Sequence, residues 1–174
     1  NAGSGPTASH SYASPGTYTV SLRVTDIFGC QDIDTFVNVV SVRNAPATAM
    51  ILSDSANCTP LALQLQDASI PGDGSIVGWT WDFGNGDGSL LQNPAYTWSI
   101  PGTYTISLTT QDIHGCISSA NKTVEAFEIP QSDFFTADTF GCGPTSITFT
   151  NLSISAFPVS TRKWYFGDGD SAMN

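Results

Sequence analysis

The chain has 174 residues, 40% hydrophobic and only 11% charged, with 5 Lys and Arg against 15 Asp and Glu and a net charge of −10. That is apolar enough for packed cores and short enough for one large or two small domains. A surface this acidic repels phosphate backbones and anionic lipid, so no nucleic-acid partner is expected, and no apolar run is long enough to predict membrane insertion.

In chain order, the first predicted strand is YTVSLRV, where Tyr18, Val20, Leu22 and Val24 alternate with Thr19, Ser21 and Arg23. LALQLQD follows, with Leu61, Leu63 and Leu65 on one face. YTISLTT sets Tyr104, Ile106 and Leu108 against Thr105, Ser107 and Thr109, and SITFTN does the same with Ile147 and Phe149. A period of two marks a strand with one buried face. Turn signals (PGDG, NGDG, PGT) fall between these runs, and no capped helical segment interrupts them. About seven short strands in about 85 residues is a sandwich signature, so the predicted fold class is all-β.

The strands belong to a repeat. Gly16 matches Gly102 and Cys30 matches Cys116 at an offset of 86 residues (102 − 16 and 116 − 30). Cys58 matches Cys142 at 84 (142 − 58), and Trp81 matches Trp164 at 83 (164 − 81). The chain holds about two such units, cut out of phase. Residues 1–42 are expected to be the C-terminal half of one domain, 46–127 a complete domain, and 130–174 the N-terminal half of another. A segment that opens inside a unit is not expected to begin with a signal peptide, and none is seen.

WDFGNGDG, then NPAYTW, then PGTYTISLTTQD resembles the PKD domain, an immunoglobulin-like sandwich with the pattern WDFGDG, NPxHxY, PGxYxVxLxVxD. Trp81, Asp82, Phe83, Gly84, Gly86, Asn93, Pro94, Pro101, Gly102, Tyr104 and Asp112 match it, while Asn85, Tyr96 and Trp98 depart from it. The first half-unit keeps His10 and Tyr12; the last keeps Asp168 but has Tyr165 in place of Asp. The resemblance implies tandem immunoglobulin-like β-sandwiches, one complete and two half domains. It also implies an array in a large secreted bacterial surface protein, of the kind that forms adhesins or filaments.

Cys58 and Cys116 lie early and late in the complete unit and are the expected disulfide pair. Closing that loop stabilises a fold by about 4 kcal/mol in the chain-entropy model. No CxxC spacing points to zinc, and the disulfide implies an oxidising, extracellular compartment. Cys30 and Cys142 then look for partners in an adjoining repeat or a neighbouring copy. Joined end to start, the two half-units spell a full PKD pattern. This fits a stretch of a longer tandem array, or a subunit completed head-to-tail by identical subunits.

Asp82, Asn85 and Asp87, with Asp168 and Asp170, offer oxygens in Gly-rich loops and are the calcium candidates. The spacing is not that of the twelve-residue calcium loop, and turn chemistry explains the same residues, so no cofactor is expected. Trp79 and Trp98 are the candidate sugar-stacking residues, whereas Trp81 and Trp164 are read as core. His10 and His114 share no position between repeats, and no nucleophile and base are paired, so the chain is not expected to be an enzyme. Asn57, Asn121 and Asn151 stand in N-glycosylation sequons. Ser55 and Ser171, in Asp-Ser-Ala, are similar to the O-glycosylation sites of bacteria that carry such arrays. The predicted function is an extracellular spacer or shaft at the cell surface, with a glycan- or protein-binding module of an adhesin or secreted hydrolase as the alternative.

Overall fold

A computed structural model describes residues 7–173; residues 1–6 of the first half-unit and residue 174 of the last lie outside the described residues. Fourteen strands and no helix make up the described chain. The first half-unit is a hairpin of β1 (Gly16–Thr25) and β2 (Gln31–Val42), paired antiparallel as a sheet of two. The central unit runs β3 (Met50–Leu52), β4 (Ala56–Cys58), β5 (Leu61–Asp67), β6 (Ile76–Asp82), β7 (Gly88–Ser89), β8 (Ala95–Trp98), β9 (Gly102–Asp112) and β10 (Ile117–Phe127). It forms one sheet in the order β4-β10-β9-β6-β7 and a second in the order β3-β5-β8. The last half-unit supplies β11 (Phe134–Thr136), paired with β12 (Phe149–Asn151), and β13 (Lys163–Tyr165), paired with β14 (Ser171–Met173).

Contacts divide the chain into two compact units. In the first (residues 1–51, 65–94 and 106–122), Met50, Leu65, Trp81, Phe83, Ile106 and Leu108 are buried. Trp81 faces Leu108 across the β6–β9 ladder, and its indole Nε1–H donates to the Leu91 carbonyl at 3.0 Å. The hydroxyls of Thr110 and Thr48, 2.6 Å apart, satisfy each other. In the second unit (residues 52–64, 95–105 and 123–174), Leu61, Leu63, Trp98, Val124 and Ala126 are buried. There β5 and β8 pair in register, Leu61 with Trp98 and Leu63 with Tyr96. Fully burying a side chain of this size contributes about 1.5–3 kcal/mol, so the alternation read in LALQLQD and YTISLTT is what sets these two faces inward.

A tyrosine corner marks the entry to the long strand after each PGT turn. The Tyr104 hydroxyl donates to the Ile100 carbonyl at 2.8 Å, and the Tyr18 hydroxyl to Ser14 at 2.6 Å. Such a corner is a hallmark of immunoglobulin-like sandwiches. Ring contacts repeat alongside it: Tyr96 meets Trp98 edge-on at 4.7 Å, and His10 meets Tyr12 edge-on at 4.8 Å.

Two expectations are corrected by the fold. YTVSLRV forms β1, but its apolar face is not buried: Val20, Leu22 and Val24 are 40%, 66% and 54% exposed. Among the described residues no second sheet lies over that hairpin. SITFTN yields only the short β12, so Ile147 precedes the strand rather than lying in it.

Candidate functional site

The late cysteine sits in a tightly specified turn. Asp112 Oδ1 accepts from the backbone N–H of His114 at 2.9 Å and of Cys116 at 2.8 Å. Its own N–H donates to the Cys116 carbonyl, and Gly115 donates back to Asp112, both at 3.0 Å. The first half-unit builds the same turn from Asp26, Gly29 and Cys30. Gly115 (φ 82°) and Gly29 (φ 86°) occupy the left-handed region that closes it. Asp112 is buried, and its Oδ2 has no hydrogen-bond partner.

The same turn abuts the chain's entrance to the domain. Ile113 N–H donates to the Ser75 carbonyl at 3.0 Å. Two residues earlier, the Asp73 carboxylate accepts from the Asn44 backbone N–H at 2.7 Å and from Asn44 Nδ2 at 3.1 and 3.2 Å. The Asn44 backbone N–H, then its side-chain amide, hold the Asp73 carboxyl below the ordinary carboxylate range.

The early cysteine lies elsewhere. Strand β4 runs parallel to the end of β10, with Cys58 opposite Phe127. Thr59 N–H and hydroxyl both donate to the Phe127 carbonyl, at 2.8 and 3.2 Å. Cys116, by contrast, immediately precedes the first residue of β10. A strand of 11 residues is about 35 Å long at 3.3 Å per residue, whereas a disulfide needs Cα atoms within about 7 Å. The expected bridge from Cys58 to Cys116 is therefore corrected: the two stand at opposite ends of one strand. No two of the four cysteines are paired with each other in the chain; Cys30, Cys58 and Cys142 are exposed and Cys116 is half-buried.

The aromatic candidates separate. Trp98 is 1% exposed and packs in the core, which removes it as a sugar platform. Its neighbour Tyr104 lies 5.9 Å away, ring to ring. Trp79 is half-buried, and its indole N–H donates to Asp67 Oδ2 at 2.7 Å. Burial alone would raise the Asp67 pKa; hydrogen bonds from Ser69, Gln92 and Trp79 outweigh it and lower the carboxyl below its ordinary value.

The Gly-rich acidic loops hold themselves. Asp82 Oδ1 accepts from Gly84 N–H at 2.7 Å, Asn85 Oδ1 from Asp87 N–H at 3.3 Å, and Asp168 Oδ1 from Asp170 N–H at 2.9 Å. These are Asx turns. No group of three or more His, Cys, Asp or Glu that could hold a metal ion occurs among the described residues. Ser55, Asn57, Asn121, Asn151 and Ser171 are all exposed. The Asn57 and Asn151 carboxamides accept from the backbone N–H of Cys58 and Ser153.

Two constellations escaped the sequence reading. PGDG and RNAP were legible as a turn and a linker, but the Asp73 to Asn44 clasp joins residues 29 apart, with no local pattern to announce it. The Asp67 cluster similarly draws Trp79 and Gln92 from other segments of the chain.

Strand order, paired sheets and tyrosine corners define an all-β chain of immunoglobulin-like sandwich architecture. The PKD domain family model matches residues 1–41 and 43–127, and the chain belongs to that family. It is 34% identical over 65 residues to the pre-pro-metalloprotease PrtV of Vibrio cholerae, covering 37% of this chain and 7% of that protein. It is 28% identical over 124 residues to polycystin-1 of Homo sapiens, covering 68% of this chain and 3% of that protein. The PKD1 domain of Vibrio anguillarum Epp, a solved structure, matches at 29% identity with a TM-score of 0.44, over 49% of this chain and 96% of that one. The chain thus spans only a small part of these curated relatives. No helix among the described residues is long and apolar enough to cross a membrane.

Proposed function

We propose that the chain is part of an extracellular spacer or shaft, a run of PKD domains in a bacterial surface adhesin or filament. Its partners are the adjoining repeats, or identical subunits, that complete its half domains. One observation carries this reading: features of the complete domain recur on both sides of it at the repeat offset. The Ala47–Ile70 bridge returns as Gln131–Ile154. The Phe83 N–H to Asp87 carbonyl turn returns as Phe166 to Asp170, and the Asp112 turn has its twin at Asp26. A domain that recurs through short, Pro-containing linkers makes a semi-rigid rod. The Asn44 clasp on Asp73 supports stiffness, because it fixes the entering linker to the domain body.

The match to a metalloprotease favours a second reading, an accessory module of a secreted hydrolase. Mass and sequence of the polypeptide from its native source separate the two. A shaft yields many further PKD repeats and no saturable glycan binding. A catalytic domain in the same polypeptide, or saturable glycan binding lost in Trp79→Phe, rejects the shaft.

A further inference from the structure

Cys58 and Cys116 cannot reach each other within their domain, but each lies where a neighbouring domain joins it. We infer that these cysteines staple consecutive domains: the early thiol of one domain, represented by Cys58, bonds to the late Asp-x-x-Gly-Cys thiol of the domain that follows. The inference rests on the tandem reading above and specifies its partner.

From one side, Cys58 lines a groove whose other walls include Phe127, Glu128 and, from the next half-unit, Pro130 and Phe157. The Phe127 and Phe157 rings meet edge-to-face there, 5.4 Å apart. From the other side, the late-cysteine turn adjoins its own domain's entrance. Ile113 is bonded to Ser75, and Asp73, two residues before Ser75, holds Asn44. The bridges Ala47–Ile70 and Gln131–Ile154 fix the offset between the domains at 84 residues (131 − 47), so Glu128 takes the place of Asn44. Glu128 is a wall of the Cys58 groove. The domain that begins near residue 130 therefore carries its late cysteine beside the groove where Cys58 is exposed.

The same rule gives Cys116 and Cys30 partners in the domains before them, and Cys142 a partner in the domain after it. Each thiol's mate lies outside its own domain. Forming the bond removes two protons and two electrons from the two thiols. The acceptor is an oxidised thiol–disulfide oxidoreductase or a low-molecular-weight disulfide, whose own S–S bond is cleaved to two thiols. The product is a second covalent link at each seam beside the peptide linker.

The test is peptide mapping of the native secreted protein, alkylated and digested without reduction. The expected product joins the Cys58 peptide to the late cysteine of the following domain. Cys58 joined to Cys116, or recovered as an alkylated free thiol, overturns the staple while leaving the tandem reading intact. A native polypeptide with no complete domain after residue 130, in itself or in a neighbouring copy, overturns both. Denaturing gels locate the partner: reduction leaves the mass unchanged if the next domain is in the same polypeptide, and collapses a ladder if another copy supplies it. In a second arm, the 174-residue chain is oxidised with glutathione disulfide. Monomer containing no Cys58 to Cys116 cross-link is expected, and that cross-link as the main monomeric product overturns the inference.

Discussion

Leu108 is 0% exposed, and Leu22, its counterpart one repeat earlier, is 66% exposed, although both stand in the motif Tyr-Thr-x-Ser-Leu. The local sequence is nearly the same; what differs is the layer opposite. Leu108→Ala is expected to cost about 2–5 kcal/mol, and Leu22→Ala within about 0.5 kcal/mol in this chain. Denaturant unfolding of the two variants checks this. If a neighbour completes the first half domain in the native protein, the Leu22 cost there rises toward that of Leu108.

The tyrosine corner gives a cleaner substitution, because only a hydroxyl is removed. Tyr104→Phe loses the bond to the Ile100 carbonyl and is expected to destabilise by about 1 kcal/mol. Tyr104→Ala also loses the ring beside Trp98 and should cost about 3 kcal/mol or more. A Tyr104→Phe midpoint equal to wild type would mean that the corner does not hold the strand.

These pairs show what the sequence made legible. Period-two alternation and a repeated Tyr, Trp and Cys spacing are local signals, so the all-β class and the family were readable from them. Trp98 was misread because its departure from the family Tyr says nothing about burial; burial follows from β8 pairing with β5. The cysteine pairing was misread for a related reason. Early and late in a sequence is not near in space when a long strand, β10, separates the two positions. The Asn44 clasp and the Asp67 cluster needed distant segments to be brought together first.

Acid should weaken the fold through those two clusters. Asp67 and Asp73 both have folded pKa values below the ordinary 3.8, so the unfolded chain binds their protons first. Their contribution is complete above that value and is lost as pH falls through the lower folded values. The denaturant midpoint of wild type should drop below about pH 4. Asp67→Asn should be less stable at neutral pH by about 1 kcal/mol, with the gap closing in acid. A gap that stays constant with pH would show that the Asp67 charge is not what the Trp79, Ser69 and Gln92 donors stabilise.

The Asp112 turn holds Cys116 in place, and Gly115 closes it in the left-handed region. Its φ of 82° lies where an L side chain meets its own backbone. Gly115→Ala should therefore cost about 1–2 kcal/mol. Asn tolerates the left-handed region better, so Gly115→Asn should cost less than Ala. The space around Gly115 is nearly open, with only the Gln111 amide at 4.0 Å, so a loss in the Ala variant is conformational rather than steric. Gly74→Ala tests the opposite cause. Its new methyl would sit 2.8 Å from the His114 ring and 3.0 Å from Asp112 Oδ2, with no unusual φ to relieve. Unfolding curves for the three variants separate the effects: a larger loss for Asn than for Ala at Gly115 would show that the turn does not require the left-handed backbone.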